Sequence, residues 1–216
     1  MVVLCSNHAM LLQLIILSAS AAFAVAENCP SGGQIYARGI SQQGKNDVTA
    51  AHNNFRKMIA NGQVPNQPRG VNLKRMYYDD NLGNGGRIVS NTCKMSHIIM
   101  KDNRWGWVGQ NLYVEWNSAK ENNPVQNWSK VVTSWFNEHK DFRYPNTAVS
   151  GKQVGHYTQV VWADSNYVGC DFIYYYDVNQ PKYPYAKLYT CNYGPGGNYN
   201  NQAPYRTGSS GCENLC

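Results

Sequence analysis

Three stretches in the second half of the chain decide the fold class: GHYTQVVW (155–162), VGCDFIYYY (168–176) and AKLYTCNY (186–193). Each is rich in aromatic and β-branched residues, which favour an extended chain on a half-buried surface. Turn-forming clusters separate them, namely DSN at 164–166 and NQP at 179–181. The pattern predicts three strands of an antiparallel meander.

Three amphipathic helices are predicted ahead of these strands, because apolar residues recur at helical spacing. The first begins at Asp47, a good N-cap, and ends before Gly62. The second runs from residue 79 or 80 to about residue 93. Its glycines lower its helix propensity, so it either packs very closely against a neighbour or has irregular first turns. The third, over 128–136, has a strongly apolar face. Helices followed by strands indicate an α+β fold.

The N-terminal stretch has the composition of a secretory signal peptide. An apolar centre over residues 10–16 is followed by small residues that end in AVA (24–26), an A-x-A cleavage pattern before Glu27. The alternative is an N-terminal membrane anchor, which so short an apolar run does not favour. We therefore predict a signal peptide over residues 1–26, a secreted extracellular chain from Glu27 onward, and no integral membrane association.

Six cysteines follow the predicted cleavage point. They are Cys29, Cys93, Cys170, Cys191, Cys212 and Cys216. An even number of cysteines in an oxidising compartment indicates three disulfides. Counting alone leaves the pairing open.

The formal net charge of +6 comes from Lys and Arg residues that are scattered along the chain. No nucleic-acid-binding motif accompanies them, so a solvated surface is the favoured interpretation and no nucleic-acid partner is expected. A serine triad has no support, because no nucleophile-elbow motif occurs. Without an internal repeat or a linker before Gly194, we predict a single domain and expect a monomer.

Two long motifs, GHYTQVVW (155–162) and LYTCNYGPGGNY (188–199), resemble the paired motifs of one superfamily. It comprises the cysteine-rich secretory proteins, antigen five and the plant pathogenesis-related one proteins (CAP, or SCP-like). Shorter stretches resemble it in the same order: AAHNNFR (50–56), CKMSH (93–97), GQNL (109–112) and SWFNE (134–138). The tail GCENLC (211–216) is most similar to arthropod venom-allergen antigen-five-like proteins.

The resemblance implies a three-layer α-β-α sandwich with a central antiparallel sheet, stapled by disulfides. The domain would cover residues 27–200, and residues 201–216 would form a short cysteine-containing tail. The resemblance also implies the pairing of the cysteines. It pairs Cys29 with Cys93, Cys170 with Cys191 on neighbouring strands, and Cys212 with Cys216.

The family places two histidines and two acidic residues around a central cleft. Carried over motif by motif, the histidines fall on His97 and His156, and one acid falls on Glu138. The other acid belongs to a G-E-N motif, and this chain has Gln110 there. The chain therefore departs from the family pattern at one of the four cleft positions.

This departure weakens the case for catalysis. His97, His156 and Glu138 are ligand types that suit Zn²⁺, and an open fourth position would resemble a catalytic site. Metal-assisted hydrolysis also needs a base, and the amide of Gln110 cannot take up a proton. If Glu138 is the base, two histidines alone hold the metal. The favoured interpretation is a hydrogen-bonded polar cluster without catalytic residues, which needs no cofactor and binds Zn or another divalent metal weakly if at all. His52, within AAHNNFR, is interpreted as structural.

Two further features bear on partners. Asn127 begins the only N-glycosylation sequon, Asn-Trp-Ser, and could equally cap the third helix. Tryptophans are dense between residues 105 and 135, which indicates core packing. The resemblance implies instead an apolar groove between helices for a sterol or a fatty acid.

The leading functional hypothesis is a secreted, non-enzymatic binding protein of the venom, salivary or allergen antigen-five type. It would sequester a small apolar ligand, such as a sterol, fatty acid or eicosanoid, or engage a host extracellular protein. One alternative is a Zn- or Cu-dependent enzyme at the central cleft. Another is a purely surface-mediated immune-interaction protein.

Overall fold

The computed structural model describes residues 27–216. The predicted signal peptide lies outside these residues. Within them, no helix combines the length and the apolar character needed to cross a membrane.

The helices of the described chain lie close to three of the predicted segments and add a fourth. They are α1 (Gln42–Ala60), α2 (Asp80–Ser90), α3 (Trp128–Phe136) and α4 (Gly155–Val160). Helix α1 begins earlier than the predicted Asp47, because the hydroxyl of Ser41 accepts a hydrogen bond from the Gly44 N–H and caps it there. Asp79 caps α2 through the Leu82 N–H.

The strands of the main sheet are β1 (Ile35–Arg38), β2 (Tyr77–Tyr78), β3 (Gly109–Asn117), β6 (Tyr167–Tyr176) and β7 (Tyr185–Gly194). Their order in the sheet is β1-β6-β7-β3, and β2 pairs in parallel with β6. A separate small hairpin joins β4 (Phe142–Arg143) to β5 (Thr147–Ala148). Strands β6 and β7 are the two predicted strands that the structure retains.

The prediction of a strand over 155–162 is wrong, because this segment forms α4 and the turn after it. Tyr157, Val160 and Val161 are buried, and they follow the i, i+3, i+4 spacing of a helix. The sequence predicted a strand because these residues are aromatic or β-branched, and a helical spacing over a single turn is too short a pattern to indicate a helix against that preference. The third long strand is instead β3, which pairs with β7 over its whole length. Helix α4 is thus the element on which His156 lies.

Alternation along the strands divides the fold into three layers. Phe172 and Tyr189 point from β6 and β7 into the larger core, which α1, α3 and α4 cover. Ile173 and Leu188 point to the other face, where α2 packs beside the Cys29–Cys93 disulfide. The structure is therefore an α-β-α sandwich around a mostly antiparallel sheet.

Helix α2 packs so closely on the sheet that the two backbones approach each other. Close packing, rather than irregular first turns, therefore accounts for its glycines. A Cβ atom on Gly86 would lie 3.3 Å from the Asp171 N. One on Gly169 of β6 would lie 2.1 Å from the Asp79 O and 2.3 Å from the Gly83 N. A side chain on Gly169 would overlap the backbone of the helix, and one on Gly86 would press on the strand more tightly than an ordinary contact.

The disulfides join Cys29 to Cys93, Cys170 to Cys191 and Cys212 to Cys216. Cys170 and Cys191 are directly opposite each other on β6 and β7. The tail packs against the domain rather than standing apart from it. Tyr205 is buried in the larger core, and the Cys216 N–H donates to the Leu73 carbonyl at 2.9 Å.

A buried arginine ties α1 to the end of α4. Arg56 is fully buried, and its guanidinium donates to the backbone carbonyls of Lys74, Val160, Trp162 and Ala163 at 2.8–3.1 Å. Burial lowers the pKa of Arg56 to about 9. The group stays charged at neutral pH, and the four carbonyl dipoles replace the water it lost.

We predict that Arg56→Met destabilises the fold by at least about 3 kcal/mol, since it leaves buried carbonyls without a donor at about 1–3 kcal/mol each. Urea unfolding at pH 7 measures the loss. The exposed Arg206 supplies a matched control, and Arg206→Met should change stability by no more than about 0.5 kcal/mol. A loss below about 1 kcal/mol for Arg56→Met would contradict this role.

Candidate functional site

Gln110 and His97 form the first half of the predicted cluster. Gln110 lies on β3 directly opposite Asn192 of β7. Its side-chain oxygen accepts hydrogen bonds from His97 Nδ1 at 2.9 Å and from the Ile98 N–H at 3.2 Å. Its Nε2 donates to the Ile98 carbonyl at 3.1 Å and to Asn192 Oδ1 at 2.9 Å. Both ends of the amide are therefore in use.

The neighbours of Gln110 require a donor at this position. Asn192 Nδ2 donates to the Leu82 carbonyl at 2.9 Å, so the oxygen of that amide must face Gln110. The Ile98 carbonyl is a second acceptor aimed at the same nitrogen. A carboxylate in place of Gln110 would meet two acceptors and have no proton to give. The donor and acceptor of the Gln110 amide therefore match the hydrogen-bonding groups around it, which a glutamate would not.

Glu138 and His156 form the second half. Glu138 lies in the 3-10 turn Asn137–Lys140 that follows α3. Its Oε1 accepts from His156 Nδ1 at 2.7 Å, and its Oε2 accepts from the N–H groups of His156 and Tyr157 at 3.0 and 3.1 Å. The carboxylate thus binds free donors in the first turn of α4 as well as the imidazole. The ring of His156 stacks on Trp135, with centroids 6.2 Å apart.

The His97–Gln110 pair and the His156–Glu138 pair lie on opposite sides of β3. Gln110 and Asn111 are consecutive on the strand, so their side chains point to opposite faces of the sheet. Gln110 meets His97 on the face that carries α2, whereas Asn111 Nδ2 donates to the His156 carbonyl at 3.1 Å on the other face. Strand β3 ends the sheet, so a ligand that contacts both imidazoles would have to lie at its outer edge.

The predicted ligand set of His97, His156 and Glu138 is not assembled as a three-ligand metal site. Across residues 27–216, no three His, Cys, Asp or Glu side chains are grouped so that they could hold one ion. Both oxygens of Glu138 are engaged with α4 and His156. The donor set that remains is the Nε2 atom of each histidine, which makes no hydrogen bond within the described chain.

A buried hydrogen-bond chain supports the His156 side. His52 is fully buried, and its Nδ1 donates to the Val48 carbonyl at 2.7 Å. Its Nε2 therefore accepts from the Tyr193 hydroxyl at 2.9 Å, and that hydroxyl accepts from Asn111 at 3.2 Å. Burial lowers the pKa of His52 to about 4 and raises the pKa of Tyr193 well above its usual value. With both ring nitrogens occupied, His52 positions its neighbours.

A pocket of about 240 Å³ opens beside His97 and Gln110. Its wall is mostly apolar and is formed by Ile98, Ile99, Trp107 and Val108, with Gln159 of α4 at the far side. His156 and Glu138 do not line it. The apolar residues were missed by the sequence prediction, although the density of tryptophans pointed to this region. Ile99 is 73% exposed, so its side chain is accessible to a molecule that enters the pocket.

The GPGG turn explains three of the tryptophans. A Cβ atom on Gly194 would fall 2.3 Å from the Trp105 ring, and one on Gly196 would fall 2.3 Å from Trp107. One on Gly197 would fall 2.5 Å from Trp162. The turn thus accepts indole rings against its backbone, and its last glycine, Gly197, lines the pocket together with Trp107. Trp128 and Trp135 are instead buried in the larger core.

Asn127 is exposed and caps α3 through its side-chain oxygen, which accepts from the Lys130 N–H at 3.0 Å. Glycosylation at its nitrogen stays a prediction.

We predict that Gln110→Glu destabilises the protein by about 1–3 kcal/mol at pH 7, because the new carboxylate faces two acceptors. The pKa of the introduced carboxyl should be raised. The penalty relative to wild type should therefore shrink as the pH falls to 5 and a proton becomes available to donate. Urea unfolding of both proteins at each pH measures it. The exposed Gln63 provides the control Gln63→Glu, which should be neutral. A Gln110→Glu variant as stable as wild type at pH 7 would show that the site tolerates an acid.

Comparison with known proteins identifies relatives in sequence. The sequence model of the cysteine-rich secretory protein family (CAP) matches residues 49–193. Venom allergen 5 of Vespula maculifrons is 34% identical over 189 residues, covering 83% of this chain and 88% of the wasp protein. Salivary antigen-5 of Dipetalogaster maximus is 34% identical over 172 residues, covering 77% of this chain and 67% of its own.

Solved structures share the fold at lower sequence identity. Schistosoma mansoni venom allergen-like protein 4 aligns with a TM-score of 0.62 and 21% identity, over 79% of this chain and 97% of that protein. The crystal structure of NaASP2 with Zn²⁺ aligns with a TM-score of 0.63 and 23% identity, over 88% and 100%. At such identities the structures support the α-β-α fold, and the sequence relatives support the family. The chain belongs to the cysteine-rich secretory protein (CAP) family, among relatives named venom allergen 5 and antigen-5.

Proposed function

We propose that this protein acts outside the cell as a binding protein for a small amphipathic ligand, held in the pocket beside His97 and Gln110. The observation that carries the proposal is the composition of that pocket. Ile98, Ile99 and Val108 provide an apolar wall, and His97 provides a polar group at one end. Such a combination fixes a mostly apolar molecule that has one polar end.

Secretion is supported by the disulfides and by the relatives. Three disulfides are typical of a protein that folds in an oxidising compartment. The relatives are named for venom and saliva, which are secretions. Together with the signal-like N-terminus, these features favour a secreted, extracellular protein.

The size of the pocket narrows the class of ligand. Its volume of about 240 Å³ is below the roughly 300–1,000 Å³ of sites that enclose a drug-sized molecule. A flexible chain such as a fatty acid or an eicosanoid would place a hydroxyl or a protonated carboxyl at His97, whose Nε2 accepts a hydrogen bond, and would extend its tail past Ile99. A rigid sterol would have to leave much of its surface outside. We therefore favour the chain-like carboxylic acids.

Binding is favoured over catalysis because the one carboxylate of the cluster is occupied and the second acidic position of the family carries an amide in this chain. Glu138 accepts three hydrogen bonds, and Gln110 uses both ends of its amide. Neither group is free to activate water beside the pocket.

The test is titration of delipidated protein with palmitate and arachidonic acid in a calorimeter, with cholesterol as a comparison. We expect saturable binding of the two acids and at least a tenfold loss of affinity in Ile99→Asp, which puts a charge on the apolar wall. Val125→Asp is the matched control, since Val125 is 68% exposed and outside the pocket. Absence of uptake, or equal affinity in the two variants, would remove the proposal.

A weak divalent-metal site is the second candidate, and one observation favours it. In both His97 and His156, an oxygen acceptor holds Nδ1 and leaves Nε2 as the free lone pair. This is how second-shell groups orient histidines that bind metals. NaASP2 was crystallised with Zn²⁺. With two histidines as the donor set, Zn²⁺ titration should give weak binding that both His97→Ala and His156→Ala abolish.

A further inference from the structure

A second groove lies beyond the pocket, at the end of α4. It is built on the segment NYNNQ (198–202), which follows the GPGG turn. Two adjoining hollows of about 370 and 760 Å³ meet there and share Trp162, Tyr199 and Gln202. Nothing in the proposed function uses this surface.

Tyr199 provides an aromatic platform in the groove. Its side chain is 46% exposed, and its ring centroid lies 6.0 Å from that of Trp162, which is only 5% exposed. Trp162 is in turn packed against the backbone of Gly197. The exposed ring is therefore backed by a buried indole rather than being free on a mobile stem. An aromatic face that is held in place is suited to stacking against a ligand.

Free amides surround this platform. Asn198 anchors the segment, since it accepts from the Thr158 hydroxyl at 2.7 Å and donates to the Gly155 carbonyl at 2.9 Å. The amides that follow or face it are those of Asn146, Asn200, Asn201 and Gln202. All four are exposed, and none of their side chains makes a hydrogen bond within residues 27–216. Each amide offers both a donor and an acceptor to a ligand.

The charge of the groove is close to zero in a chain whose net charge is +6. The smaller hollow has no charged side chain in its lining. In the larger hollow, Lys74 is paired with Asp164 at 2.9 Å, and Arg206 is the remaining charge. A site for an anion would need cations that the platform lacks. The chemistry therefore favours a neutral, hydroxyl-rich ligand.

We propose that this groove binds a neutral oligosaccharide. The C–H face of one sugar ring would stack on Tyr199, and the hydroxyls at its rim would exchange hydrogen bonds with the surrounding amides. Adjacent sugar hydroxyls both donate and accept, and an amide presents the complementary pair in a fixed plane. Loops held on a rigid scaffold commonly carry such sites. The groove adjoins the pocket at His97, since Asn198 lines both, but Tyr199 and Gln202 line the groove alone. Variants at those two residues therefore test this proposal independently of the pocket.

The experiment uses N,N′,N″-triacetylchitotriose, cellotriose and mannotriose as neutral probes and a heparin hexasaccharide as the anionic comparison. Each is titrated into ¹⁵N-labelled protein and followed by NMR. We expect at least one neutral trisaccharide to bind with a dissociation constant in the millimolar range or tighter and to shift the amide signals of residues 198–202. Tyr199→Ala should weaken that binding at least tenfold.

The controls separate the groove from the general surface. Tyr183 is 55% exposed and lies outside both hollows, so Tyr183→Ala should leave binding unchanged. Gln202→Ala keeps the platform and removes one amide, so it should weaken binding by a few fold even if Tyr199→Ala folds poorly. The proposal is overturned if none of the neutral probes binds at about 10 mM, if only the heparin hexasaccharide binds, or if the shifts lie elsewhere.

Discussion

The position of β3 at the edge of the sheet governs how the site is arranged. Neighbouring side chains on a strand point to opposite faces of the sheet. Gln110 therefore points to the face covered by α2, and Asn111 points to the face covered by α1 and α4. His97 and His156 are therefore held in two separate pairs, one on each side of the strand. The pairing of β3 with β7 sets this arrangement, since it places Asn192 beside Gln110 and Tyr193 close to Asn111. The rest of the site follows from these neighbours.

Hydrogen-bond directionality then explains why an amide is found where the family pattern has an acid. The Leu82 carbonyl orients Asn192, Asn192 presents its oxygen to Gln110, and Gln110 presents its own oxygen to His97. Each step uses one donor and one acceptor, so the order cannot be reversed without leaving a group unpaired. On the other side, Glu138 keeps the acid because N–H donors of α4 face it as well as an imidazole. Positions 110 and 138 are both acidic in the family pattern, but in this chain their hydrogen-bonding neighbours differ.

The fold class, the three predicted helices and strands β6 and β7 could be predicted from the sequence, because their apolar spacing is a local signal, although α1 is capped by Ser41 rather than by the predicted Asp47. The family and its fold followed from GHYTQVVW and LYTCNYGPGGNY.

The nature of α4 was missed, because a helix stabilised at its start by Glu138, a residue far away in sequence, has little local signal. Strand β3 was missed because its buried positions depend on β7. The residues His97, Gln110, Glu138 and His156 were named from the family motifs, and their division into two pairs depends on strand alternation in three dimensions. The apolar pocket wall around Ile99 could not be predicted either, because no sequence pattern indicates that residues 98–108 lie near α4.

Each imidazole is held through Nδ1 by its own oxygen acceptor, with Nε2 directed away from that partner. Long-range ¹H–¹⁵N correlation NMR of the imidazole rings measures this directly at alkaline pH, because the chemical shifts of the two ring nitrogens report which one carries the proton. We expect the Nδ1–H tautomer for both His97 and His156, in contrast to the Nε2–H form that free neutral histidine prefers. The Nε2–H tautomer at either residue would show that its oxygen acceptor does not hold the ring.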